Sequence, residues 1–295
     1  MSDVREIADG VFAYLQRGSW GFSNGGLIAG SGGSLLVDTM YDLKLTQQML
    51  ELLRAVDAPR IETVVNTHAN GDHCWGNQLL NDAEIISSRA AAAEMLELSP
   101  RTMHALVRAA QAIVHGGPLA SGLLRLLGTV GFTRAGALAE AAPLLAERFG
   151  PFDFGPISLR LPTRTFEGRL TLQVGDTEVQ LIEVGPAHTR GDVIVYLPKQ
   201  KVLFAGDILF IDSHPIVWDG PIQNWIDACE RILELDVEVI VPGHGPLTDK
   251  RGVQRTKEYW RRVQELAHRV HTQQIALEHA RERLVKEFDW NESER

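Results

Sequence analysis

The first forty residues alternate hydrophobic and polar positions, with turn residues between them, as β-structure does. This pattern predicts strands at residues 11–15, 27–29 and 34–38, and a β-branched run predicts another at 61–67. Residues 42–56 instead carry apolar side chains at helical spacing. After residue 157 the β-pattern returns with strands predicted at 170–174, 178–184, 193–197 and 202–205, followed by a helix over 222–235 and a strand over 238–241. Strands and helices therefore alternate in two similar halves, which predicts an α/β fold.

Two helical regions depart from this alternation. Residues 89–150 are rich in Ala, Leu and Arg and predict several short helices, and residues 252–288 predict a long amphipathic helical tail. We interpret the chain as one domain over residues 1–295 with an inserted helical cap. The cap is expected to act as a lid over a cleft, or alternatively as an oligomer interface, so a homo-oligomer stays open.

Charge and composition exclude several classes of partner. Lys+Arg 29 against Asp+Glu 38 gives a net charge of −9, which disfavours binding to nucleic acid or to an anionic membrane surface. No run reaches the roughly 18 apolar residues that span a bilayer, and the charged start does not resemble a signal peptide. The two cysteines, Cys74 and Cys229, cannot form a disulfide framework, so we expect a cytoplasmic protein. The negative charge and the helical cap indicate a small-molecule substrate. Six lysines against 23 arginines suggest a GC-rich bacterial genome.

Metal-capable side chains stand at the ends of several predicted strands. His68, Asp72 and His73 follow the run at 61–67 within six residues, and imidazole nitrogens and carboxylate oxygens are donors that zinc and iron accept. His188, Asp207 and His244 also lie where a strand runs into a loop containing Gly or Pro, and α/β folds gather functional groups at such places. The pattern predicts a metal site.

In order along the chain, Asp38, His68-x-Asn70-x-Asp72-His73, His188, Asp207 and His244 resemble the five-motif signature of the metallo-β-lactamase fold superfamily. The resemblance spans about residues 10 to 250 and implies a four-layer αββα sandwich with the metal site at one edge between two sheets. The surrounding segments GSWGFSN, NTHANGDHCWGN, GPAHTRGD, FAGDILF and VPGHGP are similar to a branch with polyketide thioesterase/cyclases and a chlorothalonil-type hydrolytic dehalogenase.

The resemblance also implies roles for individual residues. Asp72, His73 and His244 match the family's second metal position, with Asp207 shared between the two positions. His68, His188 and Asp207 match the first position, where Asn70 stands in place of a histidine. Asp38 matches a buried carboxylate that holds a metal-site histidine through its other ring nitrogen.

Asn70 is the informative departure, because an amide oxygen is a weaker zinc ligand than imidazole. We therefore expect one tightly bound Zn²⁺ and a first position that is weak, empty or occupied by a different metal. Metal-bound hydroxide would then attack an ester, thioester or lactone, with Asp72 orienting the water and His68 and His188 available as acid or base.

Other functions compete with this one. A hydrolytic dehalogenase would direct the same hydroxide at an activated aromatic ring. A mononuclear iron oxygenase of the persulfide dioxygenase type uses two histidines and an aspartate at the first position, so iron would favour it. A non-catalytic binding module and a true β-lactamase are disfavoured, the first by the retained ligands and the second by the absent export signal.

Several further residues have two interpretations each. Trp20, Phe22, His214 and Trp218 are expected on loops near the metal as substrate contacts, or else as ordinary loop packing. Cys74 is expected to be a buried filler, with a soft metal ligand as the alternative. Histidines outside the motifs are expected to be surface or packing residues: His104, His115, His268, His271 and His279.

Overall fold

Two β-sheets packed face to face form the centre of the molecule. The computed structural model describes residues 2–18, 21–117, 133–288 and 290, with no side-chain description at 133–136. Within these residues the strands are β1 (Asp3–Ala8), β2 (Val11–Leu15), β3 (Gly25–Ala29), β4 (Ser34–Val37), β5 (Ile61–Val65), β6 (Glu84–Ser88), β7 (Arg164–Phe166), β8 (Arg169–Val174), β9 (Thr177–Glu183), β10 (Val193–Leu197), β11 (Val202–Phe210) and β12 (Val239–His244). The first seven form one sheet in chain order, and the others form a second sheet in the order β12-β11-β10-β9-β8.

Helices cover the outer face of each sheet. In chain order they are α1 (Leu43–Leu53), α2 (Gly71–Cys74), α3 (Arg89–Glu94), α4 (Pro100–His115), α5 (Thr133–Phe149), α6 (Ile222–Glu234), α7 (Lys250–His271) and α8 (Leu277–Glu287), and a 3₁₀ helix spans Trp75–Leu79. Side-chain caps fix several starts; Asp42, for example, accepts a hydrogen bond from the backbone N–H of Leu45 at the start of α1. No helix of the described residues is both long and apolar enough to cross a membrane.

Apolar residues from both sheets interleave in the middle layer. Val37 and Val65 of the first sheet pack in one cluster with Val195 and Phe204 of the second. A second cluster joins α1 to the outer face of the first sheet, and a third joins α6 and α7 to the second sheet. The predicted αββα sandwich is thereby confirmed.

The structure also corrects some predicted elements. The tail is two helices rather than one, because the chain turns between α7 and α8, where Gln273 has a φ of 58°. The strand predicted at 202–205 continues to Phe210. Its register with β12 shifts on both sides of Gly206, and the strand remains in the sheet beyond this shift. The edge strands β1 and β7 were not predicted, since their exposed residues lack a clear apolar alternation. Three helices, α3, α4 and α5, lie within the predicted cap, of which residues 118–132 fall outside the description.

Candidate metal centre

Strand ends from both sheets bring the predicted metal ligands to one edge of the sandwich. His68 follows β5, Asp72 and His73 lie on α2, and His244 ends β12. Asp207 lies within β11 directly after Gly206, whose φ of 51° turns the strand. His188 follows β9 on a loop held by Asp192, which accepts hydrogen bonds from the backbone N–H groups of Ala187 and Thr189.

The donors fall into two groups around one carboxylate. In the first, donor atoms of His68, His188 and Asp207 lie within 4.8 Å of one another, and in the second those of Asp72, His73 and His244 do. Asp207 lies between them, with its Oδ2 3.6 Å from His68 Nε2, 3.3 Å from His188 Nε2 and 3.4 Å from His244 Nε2. Its Oδ1 lies 3.1 Å from His73 Nε2. This is the arrangement that a ligand shared between two metal positions requires.

Hydrogen bonds behind three of the histidines fix their tautomers. His73 Nδ1 donates to Asp38 Oδ2 at 2.9 Å, and His188 Nδ1 donates to the Ile216 carbonyl at 2.8 Å. The Thr67 hydroxyl donates to Asp38 Oδ2, so it accepts from His68 Nδ1 at 3.0 Å. Nε2 is therefore the ring nitrogen that each histidine turns toward Asp207, the orientation that ligation through Nε2 requires.

Buried atoms without a hydrogen bond show that the site fits a cation. His68 Nε2, His73 Nε2 and Asp207 Oδ1 are buried and make no hydrogen bond. Leaving such groups unpaired is costly. A divalent cation among Asp72, His73 and His244 would satisfy His73 Nε2 and Asp207 Oδ1, and a cation in the other group would satisfy His68 Nε2. Imidazole and carboxylate donors suit zinc or iron, so the residues present fit the metal that the sequence predicts.

The Asn70 side chain occupies the His188 nitrogen that would bind a metal, whereas Nε2 of His68 and of His73 makes no hydrogen bond. Its side-chain nitrogen lies 3.0 Å from His188 Nε2. Because His188 Nδ1 carries the proton donated to Ile216, Nε2 accepts this hydrogen bond from the Asn70 amide. A cation at the first position would have to displace it.

Burial and charge act in opposite directions on the pKa values of the site. Burial lowers the pKa of His68 well below its usual range, and it also lowers that of His188. Burial has the same effect on His244 and His73, but the carboxylates, with Asp207 foremost, raise the pKa of His244 to about 9 and that of His73 well above its usual range. Burial by itself would raise the pKa of Asp207, but the surrounding imidazoles hold it well below its usual range. Without a cation, protons on His73 and His244 balance the carboxylates.

A cavity of about 380 Å³ opens directly over these residues. Aromatic rings form much of its wall, namely those of Phe22, Tyr41, Trp75, Phe149, Phe210 and Trp218. The Phe210 ring stacks on His244 at a centroid distance of 4.8 Å, and the Tyr41 ring stacks on Trp75 at 5.3 Å. Glu94 and Glu97 also line it, and among the described lining residues there is no lysine and no arginine.

Predicted substrate contacts and other predicted residues divide as follows. Phe22, His214 and Trp218 line the cavity, whereas Trp20 lies outside the described residues. Cys74 is buried and donates to the Ala69 carbonyl, and burial raises the pKa of its thiol well above its usual range. The five remote histidines lie away from the cavity lining. Sequence reasoning missed Tyr41 and Trp75, although each stands within three residues of a motif, and it missed Glu94 and Glu97, which carry no motif.

Comparisons with known proteins agree with this geometry. The model of the metallo-beta-lactamase superfamily matches residues 18–244. A type 2 metallo-beta-lactamase of Bacillus cereus is 23% identical over 234 residues, which cover 77% of this chain and 69% of that protein. The metallo-beta-lactamase from Pontibacter korlensis superposes with a TM-score of 0.60 at 18% identity, covering 88% of this chain and 99% of its own.

Two further relatives match over shorter segments. The alpha subunit of 2,4-dinitroanisole O-demethylase from Nocardioides sp. (strain JS1661) is 34% identical over 100 residues, 33% of this chain and 30% of that protein. The acyl-coenzyme A thioesterase MBLAC2 of Bos taurus is 30% identical over 89 residues, 28% of this chain and 31% of that protein. The chain thus spans about a third of each. Because the family model covers most of the chain and the donor geometry accompanies it, this chain belongs to the metallo-beta-lactamase superfamily.

Proposed function

We propose that the chain is a zinc-dependent hydrolase with one tightly held metal, acting on the ester, thioester or lactone group of a small apolar or aromatic substrate. The observation that carries this proposal is the donor group of Asp72, His73 and His244, completed by Asp207, at the floor of an aromatic cavity. A divalent cation bound there lowers the pKa of a coordinated water and polarises a carbonyl oxygen.

The chain's own residues divide the remaining work. Asp72 Oδ2, 3.3 Å from His244 Nε2, both completes the donor group and is placed to orient a water. Burial keeps the pKa of His68 well below its usual range, so its imidazole stays neutral and can accept a hydrogen bond from water or substrate at Nε2. His188, held between Asn70 and Ile216, is placed to orient the substrate or hold a proton.

The cavity lining supports an uncharged substrate. Aromatic rings favour apolar or aromatic groups. The Arg190 guanidinium is shared by three carboxylates, those of Glu94, Glu97 and Asp219. Glu94 and Glu97 also line the cavity. This excess of negative charge disfavours anionic substrates such as free carboxylates.

A second candidate is hydrolytic displacement at an activated aromatic ring. The relative from Nocardioides is named for the demethylation of 2,4-dinitroanisole, an aromatic ether activated by two nitro groups. Dehalogenation of a comparable ring would need the same nucleophile and the same aromatic cavity.

Elemental analysis of protein purified without added metal is the first test. We expect about one zinc per chain, because the donor group of Asp72, His73, His244 and Asp207 is complete whereas Asn70 supplies no imidazole to the first position. About two atoms per chain would contradict the single-metal proposal, and iron in place of zinc would favour an oxygenase using His68, His188 and Asp207.

Variants at Asn70 test the first position directly. Asn70→His is expected to raise the stoichiometry toward two, because it supplies the missing imidazole. Asn70→Ala is the matched control, since it removes the hydrogen bond to His188 without adding a ligand. His73→Ala or His244→Ala should abolish bound metal and activity together, and full activity in metal-free His244→Ala would refute the mechanism.

A further inference from the structure

An aromatic cluster at the C-terminal end of the chain packs against the wall of the cavity. Trp290 and Tyr259 are 3% and 5% exposed, and their rings lie 4.9 Å apart. Phe288 contacts both rings. All three residues lie after residue 244, where the match to the family model ends.

His214 connects this cluster to the cavity. Its ring lies 5.1 Å from that of Trp290 and 5.7 Å from that of Tyr259. Its Nδ1 lies within hydrogen-bond distance, 3.2 Å, of the Tyr259 hydroxyl. The same residue lines the cavity, so one face of His214 rests on the C-terminal cluster while its loop borders the substrate space.

The loop that carries His214, residues 211–218, is here called the wall loop. It contributes Ser213, His214, Ile216 and Trp218 to the cavity lining. The Ile216 carbonyl accepts a hydrogen bond from His188 Nδ1, and the backbone N–H of Trp218 donates to the His188 carbonyl at 3.2 Å. The Ile211 N–H donates to the His244 carbonyl at 3.0 Å. A shift of the wall loop would therefore move two site histidines as well as the substrate wall.

We propose that Trp290 and Tyr259 are positioning residues for the candidate active site. They hold His214, and through it the wall loop, in the conformation that orients His188 and closes one side of the cavity. The C-terminal segment thus determines substrate fit from outside the part of the chain that the family model matches. The kinetic consequence rests on the proposed hydrolase function, whereas the structural consequence does not.

Hydrogen exchange of the wall loop tests the structural consequence without reference to catalysis. Trp290→Ala removes the aromatic contact with His214. The loss of such a contact should make the amides of the wall loop, including that of Trp218, exchange about two- to tenfold faster. Trp290→Phe, which keeps an aromatic ring, should restore most of the protection. Tyr259→Phe removes a single oxygen and should accelerate exchange at the same amides; it serves as the test if Trp290→Ala does not fold.

A matched control separates positioning from general loss of stability. Leu53, 3% exposed on α1, packs on the outer face of the other sheet. Leu53→Ala should lower Tm and leave exchange at residues 211–218 unchanged. The proposal is overturned if Trp290→Ala and Tyr259→Phe leave loop exchange unchanged, or if Leu53→Ala accelerates it equally.

Kinetics with an aromatic ester provide the second readout. Trp290→Ala should raise KM by about two- to tenfold with a smaller change in kcat, because the substrate wall is loosened while the metal ligands remain. Metal content should stay at the wild-type level. If no ester is turned over by any form but loop exchange responds as expected, the proposed hydrolase function fails and the positioning role stands. If the wild type and the variants all hydrolyse the ester, and the variants change neither KM nor the hydrogen exchange of the wall loop, the positioning role alone is overturned.

Discussion

Asp38 gives the sharpest test of how the site is organised behind the metal ligands. Its Oδ1 accepts from the Thr67 N–H at 2.7 Å, and its Oδ2 accepts from the Thr67 hydroxyl at 2.8 Å and from His73 Nδ1 at 2.9 Å. Its φ of 61° is left-handed, a conformation that asparagine also adopts readily. Asp38→Asn therefore preserves shape and backbone while replacing one acceptor by a donor.

Every orientation of the new amide leaves one conflict. With its nitrogen toward Thr67 N–H, two donors face each other. With its nitrogen toward His73, the imidazole must accept at Nδ1 and carry its proton on Nε2, which then cannot bind metal. Loss of one charge-assisted hydrogen bond costs about 1.5–3 kcal/mol. We therefore expect Asp38→Asn to weaken metal binding by about 10–100-fold, or about 1.4–2.8 kcal/mol. This is the loss typical when the hydrogen-bond partner of a metal-ligating histidine is replaced.

Metal affinity is measured by competition with a chromophoric chelator after the protein has been stripped of metal. The matched control is Asp42→Asn, since Asp42 is likewise buried and accepts from two backbone N–H groups, those of Leu45 and Asp153, but lies away from the metal donors. We expect the control to lose some stability and to keep its metal affinity. A folded Asp38→Asn protein with wild-type affinity would refute the assigned role of Asp38.

Three further predictions concern pH, packing and charge. Because the pKa of His244 is raised to about 9 in the cation-free site and that of His73 is raised as well, metal binding must release these protons, and the affinity for zinc should rise at least about tenfold per pH unit between pH 7 and 9. An affinity that does not change with pH in isothermal titration would contradict this. A Cβ at Gly243 would overlap the Asp207 carboxylate and the β11 backbone at Gly206 and Asp207, so Gly243→Ala should lower Tm and lose bound metal in elemental analysis. Glu97→Gln removes a carboxylate from the cavity lining, so it should favour an anionic ester over a neutral ester of the same shape. The ratio of the two kcat/KM values should rise by about two- to tenfold at low salt, and the gain should shrink as salt is added. Equal ratios at all salt concentrations would show that Glu97 does not act through its charge.

The sequence by itself determined the α/β alternation and, through its resemblance to the metallo-β-lactamase fold superfamily, the sandwich and the candidate site residues. Apolar runs identified most strands, and the polar residues that end them had to meet at sheet edges. Even so, β1 and β7 escaped detection, because an edge strand with exposed residues carries little periodic signal. The break between α7 and α8 escaped it as well, since amphipathic spacing continues on both sides.

Only the tertiary structure decided which partners the site residues have. Asn70 and His188 are 118 positions apart, and no local pattern predicts that the amide donates to the imidazole. The contact of Trp290 with His214 likewise joins a C-terminal segment to a loop after β11. Local periodicity follows from backbone geometry, which the sequence expresses directly, whereas such contacts depend on how two sheets and their helices pack in space.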